Sequence, residues 1–147
     1  MLISVRIYFQ GADLEPSLLT TLLGVEPSRS NKCGEERTNR QGKVLVAKLG
    51  LWTWQSTDQT ETMTLNDHID KIWATFKESV DRISMLPNVE CAWIDVHVVS
   101  EVPATDPNEV SFELDPHALL VLNQFGLPVE FTVGFVEPEH SKPGCAE

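Results

Sequence analysis

The strongest periodic signal in the chain is the segment TLNDHIDKIWATFKESVDRISMLPN. Its apolar residues recur at steps of three and four, which predicts an amphipathic helix from Leu65 to Leu86. Thr64 or Asn66 can cap the start of this helix, and Pro87 marks its end. The apolar stripe consists of Leu65, Ile69, Ile72, Trp73, Phe76, Val80 and Ile83. A helix with one apolar face covers another apolar layer, so the rest of the chain has to supply that layer.

A β-sheet can supply it, because several segments alternate apolar and polar residues with a period of two. This alternation is typical of a strand with one buried face. The alternating apolar residues are Ile3, Val5, Ile7 and Phe9; Val44 and Val46; Trp52 and Trp54; Ala92, Ile94, Val96 and Val98; Val110, Phe112 and Leu114; and Val129, Phe131, Val133 and Phe135.

Two short helices are predicted where a proline opens a leucine-rich run and a glycine closes it. DLEPSLLTTLLG places Pro16 at the start and Gly24 at the end, and DPHALLVLNQFG repeats the arrangement with Pro116 and Gly126. Each run follows an alternating segment, so a strand followed by a short helix occurs twice. The repetition indicates either a duplication or, as we favour, the same helix-start and helix-stop chemistry used twice.

These elements predict an α+β fold. We expect an antiparallel or mixed sheet of five or six strands, with one long and two short helices packed mainly on one face. A ferredoxin-like topology is the first expectation. Residues 1–136 are predicted to form a single domain, and residues 137–147 a flexible tail.

Composition and charge exclude several classes of function. The chain has 147 residues and a net charge of −11, which disfavours binding to nucleic acid because that binding needs a cationic surface. No apolar run is long enough for a membrane helix, and the start MLISVRIYFQ lacks the features of a secretory signal, so we expect a cytoplasmic protein that does not bind membranes. The familiar metal and nucleotide motifs are absent, so we assign no cofactor, no metal site and no catalytic residue.

A basic segment interrupts this acidic chain. Residues 29–48 hold six of the eleven basic residues against two acidic ones, which leaves a net charge of −15 for the rest of the chain. The segment shows no sustained period before Val44, and we interpret it as a long loop whose order the sequence does not decide. It is either a solvent-exposed loop whose basic side chains pair with acidic residues elsewhere in the chain, or a binding site for an anion or an acidic partner. The candidate binding residues are Arg29, Lys32, Arg37 and Arg40, with Trp52 and Trp54 immediately after the loop.

A second group of candidates lies on the polar side of the strands. Asp95 and His97 are two residues apart and therefore share one face, where a carboxylate could orient an imidazole for proton transfer. A solvated pair is the simpler interpretation, because the uncovered face of such a sheet is normally polar. Trp93 and Tyr8 can share this face, so we favour a shallow binding surface over a catalytic one.

The segments DLEPSLLTTLLGVEPSRS, GLWTWQS and VSFELDPHALLVLNQFGLPVEF, in this order, resemble the bacterial domain of unknown function 4279 family. The resemblance covers most of the chain. It implies a small cytoplasmic bacterial domain, and by analogy with other small acidic bacterial families it suggests a protein that neutralises a toxin. The resemblance supplies no activity and no catalytic residues.

We therefore expect a non-enzymatic binding protein, of the immunity or adaptor type, whose acidic surface engages a basic partner protein. The alternative is a small-ligand enzyme or sensor in which Arg29, Arg37 and Arg40 hold an anionic ligand near Trp52 or Trp54.

Overall fold

The computed structural model describes residues 1–56, 63–101 and 110–136. Within them, five strands form a mixed sheet in the order β2-β5-β1-β6-β7, and β3 and β4 form a separate two-stranded ribbon. The elements along the chain are β1 (Leu2–Gly11), α1 (Pro16–Leu23), β2 (Arg29–Asn31), β3 (Glu36–Thr38), β4 (Val44–Val46), β5 (Gly50–Gln55), α2 (Leu65–Phe76), a 3₁₀ helix (Val80–Met85), β6 (Cys91–Glu101), α3 (Pro116–Phe125) and β7 (Val129–Val136). The predicted α+β class is confirmed.

The sheet is centred on β1, which pairs antiparallel with β5 on one side and with β6 on the other. β6 and β7 are adjacent and parallel, and α3 connects them. This adjacent parallel pair differs from the predicted ferredoxin-like topology. In that topology, another strand lies between the two parallel strands of each βαβ unit.

One face of the sheet forms the core. The alternating residues of β1 each expose 9% or less of their surface, and they lie under α2, whose Ile69 and Ile72 are fully buried. Ile94, Val96 and Val98 of β6 continue this apolar face. The opposite face of the sheet carries the polar residues of the same strands, as the period of two requires.

The predicted helix over 65–86 is shorter than expected. α2 ends at Phe76, and a 3₁₀ helix follows after Ser79, whose backbone (φ −122°, ψ 0°) is not helical. The backbone N–H and the hydroxyl of Ser79 both donate to the Phe76 carbonyl, which closes a tighter turn. The apolar stripe still reaches the core, because Val80 and Ile83 are buried in the 3₁₀ helix. Thr64, and not Asn66, caps α2 in a reciprocal capping box with Asp67.

Two further predictions of secondary structure differ from the structure. The basic segment, predicted as a long loop, forms β2 and the β3–β4 ribbon. Residues 110–114, predicted as a strand, form no regular secondary structure and join no sheet in the described part of the chain, although Phe112 stacks on Phe131 of β7 with ring centres 5.7 Å apart. The predicted tail at 137–147 lies outside the described residues. Across the described ranges, none of the helices combines the length and the apolar character needed to span a bilayer.

Candidate functional site

The basic segment is a β-ribbon that leaves the sheet. β2 pairs with β5 through Arg29 and Thr53, and β3 pairs with β4 through Arg37 and Leu45. Backbone hydrogen bonds between these two pairs, from Gly34 N–H to the Ala47 carbonyl (2.8 Å) and from Ala47 N–H to the Glu35 carbonyl (2.9 Å), make the ribbon continuous. We call residues 32–49 the arm.

The tip of the arm is fixed by turn chemistry in the sequence NRQGK. The side-chain oxygen of Asn39 accepts the backbone N–H groups of Gln41 and Lys43, each at 2.9 Å. Gly42 adopts a left-handed backbone with φ 77°, which glycine allows without a steric penalty. Asn39 and Gly42 thus close the hairpin and leave Arg40 exposed at its tip.

The base of the arm is tied to the body. Lys32 Nζ lies 2.8 Å from Glu15 Oε2 just before α1, and this hydrogen bond is the first cause that raises the pKa of Lys32. The side-chain amide of Asn31 donates to the Leu49 carbonyl at 2.9 Å across the ribbon. Lys32 is therefore paired with Glu15 of the body, and its side chain remains half exposed.

A cleft of ≈ 600 Å³ lies between the arm and the edge of the sheet. Its lining contains three cations, Arg29, Arg37 and Lys48, and none of them forms an ion pair or a hydrogen bond through its side chain with another described residue. The remaining lining residues are acidic (Glu35, Glu36), neutral polar (Gln10, Ser30, Asn31) and apolar (Leu45, Val46, Ala47, Leu49, Leu51). The cleft thus combines uncommitted cations with an apolar surface.

Trp52 and Trp54 do not contribute to this cleft. Both face the helix layer, where Trp52 is fully buried and donates its indole N–H to Thr20 Oγ1 at 3.0 Å. Trp54 packs edge-on against Phe76 with ring centres 5.5 Å apart. Arg40, at the tip of the arm, also lies outside the cleft lining. Of the candidates in the basic segment and its flank, the structure therefore brings together Arg29 and Arg37.

The polar candidates lie on the face of the sheet opposite the described helices, which we call the open face. Tyr8 and Trp93 are cross-strand partners and stack with ring centres 4.8 Å apart and an interplanar angle of 14°. Asp95 is only 7% exposed and accepts the Thr132 hydroxyl at 2.8 Å. Asp95 and His97 share this face, but no hydrogen bond or ion pair joins them in the described part of the chain.

The open face and the cleft are continuous, because the strand register arranges residues in rows across the sheet. One row contains Asn31, Leu51 and Gln10, and it belongs to the cleft lining. The next row contains Arg29, Thr53, Tyr8 and Trp93, and the one after it contains Gln55, Arg6 and Asp95. Arg29 from the basic group therefore shares one surface with Tyr8, Trp93 and Asp95 from the polar group.

Arg6 and Thr53 are members of this surface that sequence reasoning did not select. Both occupy polar positions of alternating strands, and that alternation was the only signal for them. Arg6 is half-buried, with Nη1 3.3 Å from the Tyr8 hydroxyl, and Thr53 is 7% exposed.

A buried polar pair on the other side of the sheet was also missed. Ser56 Oγ lies 2.8 Å from His68 Nδ1 and accepts the Val5 N–H at 3.0 Å, and both side chains are 1% exposed. Ser56 follows directly after Gln55, the last residue of β5. The strand pairing of β1 with β5 ends at Arg6 and Gln55, and the Ser56 hydroxyl accepts the next free backbone donor, the Val5 N–H. This geometry is structural, because solvent does not reach either side chain.

Within the described residues, no group of three or more His, Cys, Asp or Glu side chains is arranged to hold a metal ion. A family model, the domain of unknown function DUF4279, matches residues 2–135. This chain belongs to the DUF4279 family. No curated protein and no solved structure matches it. The fold and site described above are thus those of a DUF4279 domain, and the match covers every strand from β1 to β6 and nearly all of β7.

Proposed function

We propose that this domain is a non-enzymatic binding protein of the bacterial cytoplasm whose cleft holds a small anionic ligand. The observation that carries the proposal is that Arg29, Arg37 and Lys48 line one cleft and form no side-chain ion pair or hydrogen bond with another described residue, in a chain of net charge −11. Glu35 and Glu36 also line the cleft, but among the described residues neither forms an ion pair with these cations, in contrast to Glu15, which is paired with Lys32.

The lining defines the class of ligand. Guanidinium groups bind carboxylates and phosphates through paired hydrogen bonds. The leucines at positions 45, 49 and 51 add apolar surface beside these cations, which favours an anion that carries a hydrocarbon stem. A fatty carboxylate such as octanoate has both features and serves as a probe.

Isothermal titration with octanoate tests the proposal. Arg37→Gln removes one lining guanidinium and is expected to weaken binding by about 10-fold or more, since a hydrogen bond to a charged group contributes about 1.5 to 3 kcal/mol. Arg40→Gln is the matched control, because it makes the same change of charge on the same arm outside the cleft. We expect it to change the affinity less than 2-fold, on the scale of a screened surface charge. An equal loss in both variants, or no binding by the wild type, would contradict the proposal.

A second candidate function is favoured by the charge outside the basic segment. The remaining residues carry a net charge of −15, which would steer a basic partner protein toward the body, as expected of an immunity- or adaptor-type protein. A tagged pull-down at low and high salt tests it. A stoichiometric basic protein that is lost at high salt and still binds the Arg37→Gln variant would favour this function over ligand binding in the cleft.

A further inference from the structure

Two buried polar atoms on the open face have no hydrogen-bond partner among the described residues. They are Nε of Arg6 and Oγ1 of Thr53. Such atoms are rare in native proteins, because a buried donor or acceptor without a partner is destabilising. Arg6 and Thr53 lie on adjacent strands, since Thr53 pairs with Tyr8 and Arg6 follows two residues away on the same face of β1. The two unpaired atoms thus belong to one small region.

The guanidinium of Arg6 is oriented by its neighbours. Its Nη1 donates to the Tyr8 hydroxyl at 3.3 Å, and the Tyr8 ring is held by its stack on Trp93. Asp95 is the cross-strand partner of Arg6, but its Oδ1 accepts from Thr132 on β7 and no ion pair joins it to Arg6. Arg6 therefore forms no ion pair with its cross-strand carboxylate or with any other described residue.

The register sets the spacing between this region and the cleft. Arg29 pairs with Thr53, which in turn pairs with Tyr8, so Arg29 and Arg6 lie two strands and two residues apart. With strands about 4.8 Å apart and a rise of about 3.3 Å per residue, the Cα atoms of Arg29 and Arg6 are separated by about 12 Å. The Cα atom of Thr53 lies between them, about 8 Å from that of Arg6.

We propose that Arg6 and Thr53 form a second anionic subsite, and that the ligand is an elongated dianion with an apolar stem. One anionic group binds the cations of the cleft, and the other accepts hydrogen bonds from Arg6 and Thr53. This inference rests on the proposed function, because it places the first group in the cleft. The stem lies along the row of Leu51 and beside the aromatic stack, and the side chain of Arg6 shifts on binding because its Nε is covered in the free protein.

Paired titrations with octanoate and with the α,ω-dicarboxylates from succinate to sebacate test the inference. In the wild type, we expect suberate or sebacate to bind at least about 10-fold more tightly than octanoate, since the second carboxylate gains charged hydrogen bonds. Arg6→Gln should abolish this gain and leave the affinity for octanoate unchanged. Arg37→Gln should weaken both classes of ligand.

The outcomes separate the two proposals. Octanoate binding without a gain for any dicarboxylate, or a gain that survives in Arg6→Gln, would overturn the second subsite and leave the cleft function standing. If no carboxylate binds the wild type, both proposals fail.

Thr53→Val provides a readout that a purely structural role would not give. It removes an unpaired buried hydroxyl, so we expect the Tm of the free protein to rise by about 2 to 4 °C while the dicarboxylate gain falls. Thr132→Val is the matched control, because its hydroxyl has a partner in Asp95, and its Tm should fall. A Tm that falls in Thr53→Val as it does in Thr132→Val would indicate that Thr53 supports the fold and would overturn its role in binding.

Discussion

Ser56→Ala is the substitution whose effect on stability follows most directly from the structure. Ser56 is 1% exposed, and its hydroxyl serves two groups that are distant in sequence, the Val5 N–H at 3.0 Å and His68 Nδ1 at 2.8 Å. It therefore joins β1 to α2 just beyond the end of β5. Alanine fits the same space but can neither donate nor accept a hydrogen bond.

The expected loss is the desolvation penalty of the groups left behind. Each buried polar group that loses its partner is destabilising by about 1 to 3 kcal/mol, so the two contacts together predict a loss of about 2 to 6 kcal/mol. For a chain of this size, that corresponds to a fall in Tm of about 4 to 24 °C. The removed oxygen leaves too small a cavity to add much to this figure.

Urea denaturation measures the free energy of unfolding, and an unchanged m-value would show that the unfolding transition itself is preserved. Thr21→Ala is the control, because the Thr21 hydroxyl is exposed and only donates back to the Ser17 carbonyl in its own helix. We expect that control to stay within about 0.5 kcal/mol of the wild type. Native-state hydrogen exchange should also quicken at the Val5 amide in Ser56→Ala. A loss below 1 kcal/mol, or no change in exchange at Val5, would refute the reasoning.

Two further predictions concern the backbone and the helix cap. A Cβ atom on Gly50 would lie 2.8 Å from the Gly11 carbonyl oxygen and 3.0 Å from Leu14 Cβ, so Gly50→Ala should be destabilising by about 1 to 3 kcal/mol in urea denaturation. Gly134→Ala, where a Cβ would meet nothing within 4 Å, should be neutral or stabilising, and equal losses in both would contradict the steric argument. Hydrogen bonds from Thr64, the backbone N–H first, lower the pKa of Asp67 below 3.8. Because the pKa is lower in the folded state, this contribution is present above pH 3.8 and is lost as the pH falls through the folded-state value. Acid titration of stability should therefore be less steep in Asp67→Asn, and a slope equal to that of the wild type would exclude the capping contribution.

The elements with a clear hydrophobic period could be predicted from the sequence. β1, β6 and α2 each bury one face, so their periods of two or about 3.6 follow directly from packing. α1 and α3 were marked by proline at the start and by a left-handed glycine at the end, Gly24 and Gly126. The end of α2 was not predictable in this way, because the apolar spacing continues through the 3₁₀ helix while the backbone leaves the α-helical conformation at Ser79.

The arm was not predicted because it lacks a buried face of its own. All three residues of β3 are exposed, and Val44 and Val46 of β4 are 55% and 57% exposed. Such strands are defined by their cross-strand hydrogen bonds, and these depend on which segments meet rather than on a local period. The one local signal was turn chemistry, since Asn39 and Gly42 are residues that commonly close hairpins.

The candidate site was predictable only in part, for the same reason. The excess of cations in residues 29–48 located Arg29 and Arg37, but the sequence could not show that Lys32 is paired or that Arg40 lies away from the cleft. Trp52 and Trp54 were near the arm in sequence, and the period of two placed them on the opposite face of the sheet. Arg6 and Thr53 stand out only through their unpaired atoms, which depend on three-dimensional packing.

The family motif itself marks the fold rather than the site. In GLWTWQS, Gly50 leaves room for β1 and Leu14, Trp52 fills the core and bonds to Thr20, and Ser56 links β1 to α2. These motif residues are satisfied by their own chain. Between these residues, Leu51 lines the cleft and Thr53 carries a buried hydroxyl with no hydrogen-bond partner among the described residues, both on the opposite face of β5. The core contacts of this stretch thus lie on one face of the sheet and the proposed binding surface on the other, so the proposal predicts that Arg6→Gln changes ligand affinity while the contacts of Trp52 and Ser56 stay intact.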